Sequence, residues 1–216
     1  MILENKVCEI ITDTETLNGI SDVIDPKKEG TKLQQIILKL KATMRANDLV
    51  SLSAPQIGEL YRVFCIKFGK DDYRSFVNPM IENVSGFQLS REKCHSIPNK
   101  EFIRPRYNSI RIIYQTPMGK VEARDIKGKT AIVMEHCIDH LDGLLLNDVG
   151  LEIDEMFDNA TEEERTEVIK MYMESLDIRQ KQLEQEIEND KELKQLNDGI
   201  KFMNAVDNGE VTLDTE

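Results

Sequence analysis

The sequence predicts an α+β fold, and three of its features support that class. Most of the chain from Arg62 to Arg124 alternates between strand-like runs and turn residues. Apolar residues recur at helical spacing before this region, in Thr31–Asn47, and after it, in Lys129–Leu141. Strands that are grouped along the chain and bracketed by helices are typical of an α+β arrangement.

The strands and turns follow in order up to the second of these helices. Leu49–Ser53 is predicted to be a short strand that leads into a turn at Ala54–Gly58. Met118–Lys120 is predicted to be a hairpin turn, because it contains a glycine between two strand-like runs. The other predicted strands are Arg62–Phe68, Ser75–Ile81, Gly86–Ser90, Ser109–Tyr114 and Val121–Ala123.

Helices make up the rest of the predicted structure. Lys129–Leu141 is expected to end near Gly143, since glycine commonly follows the last turn of a helix. Thr161–Glu164 is a capping-box pattern that opens a long helix, with a broken apolar stripe over Ile169–Ile187. A second apolar stripe follows over Leu193–Met203.

Charge divides the 216-residue chain into two parts. Residues 1–150 carry 21 Lys and Arg against 20 Asp and Glu, whereas residues 151–216 carry 7 against 20, a net charge of −13. We therefore predict one domain over residues 1–150 and an acidic helical extension over residues 151–216. The acidic extension should repel phosphate, which argues against nucleic-acid binding through that segment.

The sequence favours the cytoplasm. No apolar run approaches the ~20 residues of a membrane helix, so we expect no membrane partner. Met1–Asn18 lacks the apolar core of a signal peptide. A cytoplasmic protein of this size does not need disulfides, and Cys65 lies in an apolar strand where a thiol packs as a small hydrophobe.

A histidine pair is the first candidate for chemistry. His136 and His140 lie about 40° apart around a predicted helix, so both imidazoles can reach one metal ion. The spacing alone is a weak signal, because such pairs are more often ordinary surface or core residues. Cys94 follows a strand and has polar neighbours, which makes it the candidate third ligand. A Cys–His–His set suits a soft divalent ion such as zinc or iron.

Three motifs resemble those of the peptide deformylases, in that family's order and approximate spacing. Leu49–Gly58 (LVSLSAPQIG) resembles the family's G-x-G-L-A-A-P-Q-x-G. Glu92–Pro98 (EKCHSIP) resembles E-G-C-L-S-I-P, and Glu135–Gly143 (EHCIDHLDG) resembles Q-H-E-x-D-H-L-x-G. The resemblance covers roughly residues 31–150, and three motifs in this order are specific to the family.

The resemblance implies a fold and an activity. Deformylases are metallohydrolases in which antiparallel strands pack around a central metal-binding helix. They use one divalent ion, Fe²⁺ or Zn²⁺, to remove the formyl group from the N-terminal formylmethionine of new bacterial-type chains. The implied partners are therefore formyl-Met peptide N-termini, including nascent chains at the ribosome, and the implied process is protein maturation during translation.

Residue roles follow from the matched positions. The resemblance implies that Cys94, His136 and His140 are the metal ligands. It implies that Gln56, helped by the backbone N–H of His95, stabilises the oxyanion, a task worth ~3 kcal/mol per donor in other enzymes.

Residues around these ligands are expected to support them and to bind substrate. Glu92 is expected to pair with Arg106, with Arg104 as the alternative, and so to hold the Cys94 loop. The expected substrate-binding residues are Val50, Ser51, Ile132 and Val133.

The main departure from the family is Cys137, which stands where the motif has its catalytic glutamate. Residue 137 lies about 60° from His140 on the helical wheel, so it faces the neighbourhood of the metal. Three interpretations stay open: the thiol ligates the metal, acts as a weak base, or is an inert small hydrophobe. Glu135 points away from this side of the helix on the same wheel.

Other departures surround the same site. Leu49, Ser51 and Ser53 replace glycines or an alanine of the motif, and their side chains should narrow the groove. His95 replaces a leucine, and an imidazole with an ordinary pKa near ~6.5 is suited to carry a proton at neutral pH. His95 therefore either covers in part for the glutamate or is simply a solvent-facing or packed histidine.

Three functions are compatible with these residues. The first is a divergent deformylase, from a bacteriophage acting in a bacterial host or from another fast-evolving source. The second is a deformylase homologue that binds formylated N-termini or a protein partner without turnover. The third is a different amide hydrolase that uses the same metal.

Overall fold

The computed structural model describes residues 6–189, and the chain divides into two compact units after Asp158. The first unit contains a six-stranded antiparallel sheet in the order β1-β2-β3-β4-β5, with β6 paired to β4. This mixture of helices and antiparallel strands confirms the predicted α+β class. The strands are β1 (Ser51–Ser53), β2 (Val63–Lys67), β3 (Tyr73–Cys94), β4 (Ile97–Gln115), β5 (Val121–Lys127) and β6 (Leu151–Ile153). The helices are α1 (Thr14–Leu17), α2 (Gly30–Ala46), α3 (Lys129–Leu141), α4 (Leu146–Val149), α5 (Glu155–Asn159) and α6 (Glu162–Asn189).

Strands β3 and β4 form one long hairpin, where the sequence predicted three shorter strands, Ser75–Ile81, Gly86–Ser90 and Ser109–Tyr114. The separation into short strands was wrong, because pairing continues through the gaps between them, and Asn78 and Gly86 adopt positive φ without ending β3. The register shifts between Val77 and Met80, a bulge that contains Asn78. The Asn78 side chain accepts from the backbone N–H of Ile24 at 3.1 Å and donates to its carbonyl at 2.8 Å. These bonds stabilise a backbone conformation that favours asparagine and glycine.

Strand β2 is apolar at nearly every position because both of its faces are covered. Val63 and Cys65 pack in a core with α2, whereas Phe64 and Ile66 pack in a second core with α3. Burial raises the pKa of the Cys65 thiol to about 11, as expected for a thiol that packs as a small hydrophobe. The sheet therefore separates α2 from α3 and holds α3 against its strands.

The end of α3 is fixed by a segment from the beginning of the chain. Gly143 has a φ of 70°, and a Cβ at this position would collide with the carbonyl oxygen of Asn18. The Asn18 amide donates to the Gly143 carbonyl at 2.9 Å, and the backbone N–H of Ser21 donates to the carbonyl of Leu141 at 2.9 Å. Position 143 therefore favours glycine both for its positive φ and for the close approach of the Asn18 carbonyl. The predicted end of the helix near Gly143 is confirmed.

Helix α6 begins at the predicted capping box. The Glu164 carboxylate accepts from the Thr161 backbone N–H at 2.8 Å, and the Glu164 N–H donates to the Thr161 hydroxyl at 3.2 Å. Ile169, Met173 and Leu176 of the apolar stripe are half-buried. The second predicted stripe, Leu193–Met203, lies outside the described residues. Within residues 6–189, no helix has both the length and the apolar character needed to cross a membrane.

Residues directly after position 150 contribute to the sheet. Strand β6 pairs with the early part of β4, with Ile153 opposite Glu101 and Leu151 opposite Ile103. The first compact unit continues to Asp158. The expected division at residue 150 therefore lies just before the last strand of the sheet.

Candidate metal centre and groove

Three side chains that can each offer one metal ligand meet between the β3–β4 hairpin and α3. Cys94 is the last residue of β3, and His136 and His140 lie one turn apart on α3. Their ligand atoms all lie within 4.8 Å of one another, and Cys94 Sγ is 3.3 Å from His140 Nε2. The structure thus brings together the three residues that the motifs indicate.

Glu92 connects the hairpin to the first histidine. Its Oε2 lies 2.9 Å from His136 Nδ1, and its two oxygens accept from Arg106 at 2.7 and 3.0 Å. Because a carboxylate only accepts, Nδ1 carries the proton and the Nε2 lone pair is available for a metal. Burial alone would raise the pKa of Glu92, but the bonds from His136 and Arg106 outweigh it and lower the pKa to about 2.

Arg106 also anchors α3 through a second carboxylate. Its Nη1 donates to Asp139 Oδ2 at 2.7 Å, and Arg104 donates to Asp139 Oδ1 at 3.3 Å. The structure therefore puts Arg106, and not the alternative Arg104, on Glu92. Burial works against the charged guanidinium, but the bond to Glu92 and the charge of Asp139 raise the pKa of Arg106 above its ordinary value.

Cys94 lies in surroundings that favour its thiolate. Burial would raise the pKa of Cys94, but the hydrogen bonds to His136 and His140 outweigh burial and lower it. The thiolate is the form of cysteine that binds metals. A thiolate, an imidazole oriented by Glu92 and a second imidazole fit one divalent ion, since metal-binding histidines usually give their other nitrogen to a carboxylate.

Gln56 presents its amide beside this cluster from a short 3-10 turn, Ala54–Ile57. Its Oε1 accepts from the backbone N–H of Ser53 at 3.0 Å, and its Nε2 donates to Ser96 Oγ at 3.2 Å. The same Nε2 lies 3.7 Å from Cys94 Sγ. These bonds fix the orientation of a buried amide that lines the groove, so Gln56 can donate to an oxygen bound there.

A groove of about 580 Å³ opens beside the cluster. On α3, Lys129, Ile132, Val133 and His136 line it at helical spacing, so one face of the helix forms its wall. The four residues that the sequence indicated for substrate all line it: Val50, Ser51, Ile132 and Val133.

His95 and Cys137 lie in opposite environments. His95 is exposed and lines the groove at its rim. Cys137 is 1% exposed and belongs to the apolar core between α3 and the sheet. Burial raises the pKa of the Cys137 thiol to about 12, with the Ser51 and Ser53 hydroxyls in hydrogen-bonding contact. Among the described residues, Cys137 is neither in the ligand cluster nor in the wall of the groove, which favours the inert thiol among the three interpretations.

Glu135 lies away from the groove, on the side that the helical wheel indicated. Its carboxylate accepts from the backbone N–H of Tyr107 at 3.0 Å, which ties α3 to β4. Burial raises the pKa of Glu135 to about 7, against the opposing effect of Arg106.

Sequence reasoning missed several residues of the groove wall. Lys129 lies seven residues before His136, a spacing that puts both on one face of a helix. The helical pattern of the sequence could therefore have identified Lys129 as part of the groove wall. Gln88–Ser90 also line the groove. No local pattern reveals their position, because it depends on the long hairpin.

Comparison with known proteins agrees with the motifs. A sequence profile of the family described as Polypeptide deformylase matches residues 7–154. The peptide deformylase of Treponema pallidum (strain Nichols) is 37% identical over 133 residues, which are 60% of this chain and 80% of that protein. The peptide deformylase of Dictyoglomus thermophilum is 33% identical over 145 residues, which are 63% of this chain and 94% of that protein.

Solved structures share the fold of the first unit. The peptide deformylase of Thermotoga maritima superposes with a TM-score of 0.62 at 27% identity, over 66% of this chain and 97% of that chain. A class I type b peptide deformylase from Acinetobacter baumannii, solved with Met-Ala-Ser bound, has a TM-score of 0.62 at 23% identity over 67% of this chain and 99% of that chain. The profile match spans well over half of the sequence, and the chain belongs to the peptide deformylase family.

Proposed function

We propose that this protein is a metal-dependent peptide deformylase, which removes the formyl group from formylmethionine at the N-terminus of nascent chains. The observation that carries the proposal is the cluster of Cys94, His136 and His140 beside a groove. Its relatives are named peptide deformylases, which indicates the reaction. The three side chains of the cluster can hold a metal ion, and such an ion fits amide hydrolysis.

Cys94, His136 and His140 would hold one Fe²⁺ or Zn²⁺ ion. Such an ion polarises a carbonyl and lowers the pKa of a coordinated water. Glu92 keeps the Nδ1 proton of His136 in place, so that Nε2 stays directed to the ligand cluster. Arg106 holds Glu92 ionised and in position.

Gln56 would stabilise the transition state. Its amide oxygen is held by the Ser53 N–H and one amide hydrogen by Ser96, which leaves the second hydrogen, close to Cys94 Sγ, to donate to the formyl oxygen as that oxygen gains negative charge. The backbone N–H of His95 is the proposed second donor. Removal of one such donor in other enzymes costs about 10²–10³ in kcat.

The methionine side chain would lie against the apolar part of the groove. Ile132 and Val133 are half-buried on α3, and Val50, directly before β1, lines the same groove. Ser51 adds a hydroxyl at this edge. Full burial of a methionine side chain contributes about 1.5–3 kcal/mol, enough to select it over a small residue.

A second candidate function is capture of formylated N-termini without turnover. The observation that favours it is the position of Cys137, whose thiol is buried in the apolar core outside the groove wall, where burial raises its pKa and disfavours the thiolate that could accept a proton. His95 is then the remaining imidazole at the groove that does not belong to the ligand cluster. Proton transfer by His95 is the step on which turnover would depend.

The acidic extension over residues 151–216 is proposed to contact protein and not RNA. Its net charge of −13 supports this choice, since phosphate backbones repel acidic segments. Formylated chains are made in the bacterial cytoplasm, which supports that compartment for the proposed activity and fits a bacterial or a phage source equally.

Release of formate tests the proposal. Anaerobically prepared protein, loaded with Fe²⁺ or with Zn²⁺, is incubated with formyl-Met-Ala-Ser, and formate and new amino termini are counted. Equal amounts of both products, absent in a His140→Ala variant, are the expected result. Tight binding of the peptide with no formate from either metal form would favour capture over hydrolysis.

A further inference from the structure

Strand β5 is an edge of the sheet that is paired on one side only. In the part of the chain that the structure describes, Val121–Lys127 pairs with β4 and with no other strand. The Thr116 N–H donates to the Lys120 carbonyl, and the Gly128 N–H donates to the Asn108 carbonyl. Because hydrogen-bonded pairs alternate along an antiparallel ladder, the even-numbered residues of β5 bond to β4. The backbone N–H and C=O groups of the odd-numbered residues therefore point to the open edge.

An apolar row crosses the sheet and ends at this edge. Ile113 of β4 lies opposite Met80 of β3 on one side and opposite Ala123 of β5 on the other. Ile112 and Tyr114 pack in the core with α3, so this row lies on the other face of the sheet. Met80 is 61% exposed, and Ala123 is exposed as well. The row therefore reaches the open edge as an exposed apolar surface.

We propose that β5 pairs with β5 of a second copy of this chain, antiparallel and about a two-fold axis at Ala123. In such a dimer Ala123 lies opposite its own copy, and Val121 lies opposite Asp125 of the second copy. The backbone groups of these residues all point to the open edge, so three residue pairs would exchange two hydrogen bonds each. The apolar rows of the two copies would then join across one continuous sheet. This inference is independent of the proposed function.

Charge complementarity selects this register. With Ala123 at the centre, Glu122 of each copy lies opposite Arg124 of the other copy. A register centred on Glu122, Arg124 or Asp125 would put that residue opposite its own copy, and like charges directly opposite each other are destabilising. A register centred nearer to either end of β5 would pair fewer residues of the strand. The register at Ala123 is therefore the one that combines a long overlap with opposite charges.

The bonds within one chain already prepare this charge arrangement. Arg124 donates to the Glu122 carboxylate at 3.1 Å, and the Tyr114 hydroxyl donates to the same carboxylate at 2.9 Å. These bonds hold the side chain of Glu122 on the α3 side of the sheet and lower the pKa of its carboxyl, with the bond from Tyr114 contributing most. A second copy would bring another Arg124 to the open side of this carboxylate. Two carboxylates and two guanidinium groups would then alternate across the dimer.

The mass of the full chain in solution tests the proposal. Sedimentation velocity is measured over a series of protein concentrations, and we expect a monomer–dimer equilibrium. The dissociation constant should be on the order of 10 μM, because a short strand pair lies at the small end of protein interfaces. Ala123→Pro should abolish the dimer, because proline removes an N–H that faces the open edge and leaves the bonds to β4 in place. Ala123→Ser keeps this N–H and is the matched control, which should keep most of the dimer.

Two charge variants test the register itself. Arg124→Glu puts acids opposite Glu122, and Glu122→Arg puts bases opposite Arg124, so each variant alone should dimerise about tenfold more weakly than the wild type. An equimolar mixture of the two should form a heterodimer about as stable as the wild-type dimer, because acid then faces base at both positions. Native mass spectrometry distinguishes this heterodimer by its mass. Lys70→Glu is the control, since it changes the charge by the same amount in the exposed turn between β2 and β3.

The possible results are decisive once circular dichroism shows that every variant is folded. A chain that stays monomeric at the highest concentration would overturn the proposal, whether the edge is bare or is covered by residues outside 6–189. A dimer that survives Ala123→Pro would also overturn it, and so would a mixture that associates no better than its two components, because the copies would then meet through another face. These measurements need neither metal nor peptide, so a failure to release formate would leave this inference unaffected.

Discussion

The two faces of α3 differ in the way they are held. His136 and Asp139 on one face are tied to the hairpin by charged hydrogen bonds through Glu92 and Arg106. Cys137 on the other face packs in an apolar core. Removing one member of a charge network leaves an uncompensated buried charge, whereas a packed position tolerates apolar substitutions of similar volume. The cluster residue His136 and the neighbouring Cys137 are therefore held by different kinds of contact.

The largest expected effect is loss of the metal when a ligand on the charged face is removed. His140→Ala should reduce bound metal from about one equivalent to near zero, because two protein ligands hold a divalent ion poorly. Metal analysis after anaerobic loading measures this. His95→Ala is the matched control, since His95 is exposed at the rim and should leave the metal content unchanged. Equal metal in the His140→Ala variant and the wild type would remove His140 from the site.

A carboxylate at position 137 tests the packed face. Cys137→Glu combined with Ser51→Gly should raise formate release about 10²-fold, as general-base groups do in other enzymes. Cys137→Glu alone should gain less, because the Ser51 and Ser53 hydroxyls already contact this side chain and overpacking costs about 1–3 kcal/mol. Unchanged formate release with the metal still bound would show that the groove, and not residue 137, limits the reaction. A fall would show that the thiol itself takes part.

The smallest effect on metal binding is expected from the residues that support the ligands. Arg106→Met leaves Glu92 and Asp139 without their guanidinium, which should weaken metal binding about 10- to 100-fold and lower the free energy of unfolding by about 3–5 kcal/mol. Chelator competition and chemical denaturation measure the two quantities. Arg111→Met is the control, because Arg111 forms only exposed ion pairs. Each such pair contributes at most about 1 kcal/mol to the free energy of unfolding. Similar losses in both variants would show that Arg106 is no more important than a surface arginine.

The cluster of Cys94, His136 and His140 could be predicted from the sequence because its signals are local. The spacing of His136 and His140 is a property of one helix, and Cys94 lies in a short motif. The full length of the hairpin could not be predicted, since pairing between the predicted strands depends on the partner strand, and the bonds that stabilise the bulge at Asn78 come from Ile24, 54 residues earlier.

Cys137 shows the same limit inside the site. A helical wheel gives the direction of a side chain and says nothing about what fills the space in that direction. Part of that space is filled by Ser53, which lies 84 residues earlier in the chain. Its hydroxyl donates a hydrogen bond to the Cys137 carbonyl at 3.0 Å. Only the folded arrangement reveals that hydroxyls and core residues surround the thiol.

The bond between Asn18 and Gly143 implies an order of events during synthesis. The two residues are 125 positions apart, so the end of the ligand helix cannot be fixed until most of the first unit has left the ribosome. Contacts between distant parts of a chain require closure of a long loop and form late. The Asn18 amide and the Ser21 N–H must therefore wait for α3, although the neighbouring Asp22 already bonds to Leu60 and Arg62. A nascent chain that stops short of Gly143 is a precursor in which the helix that carries two of the three ligands still lacks its anchor.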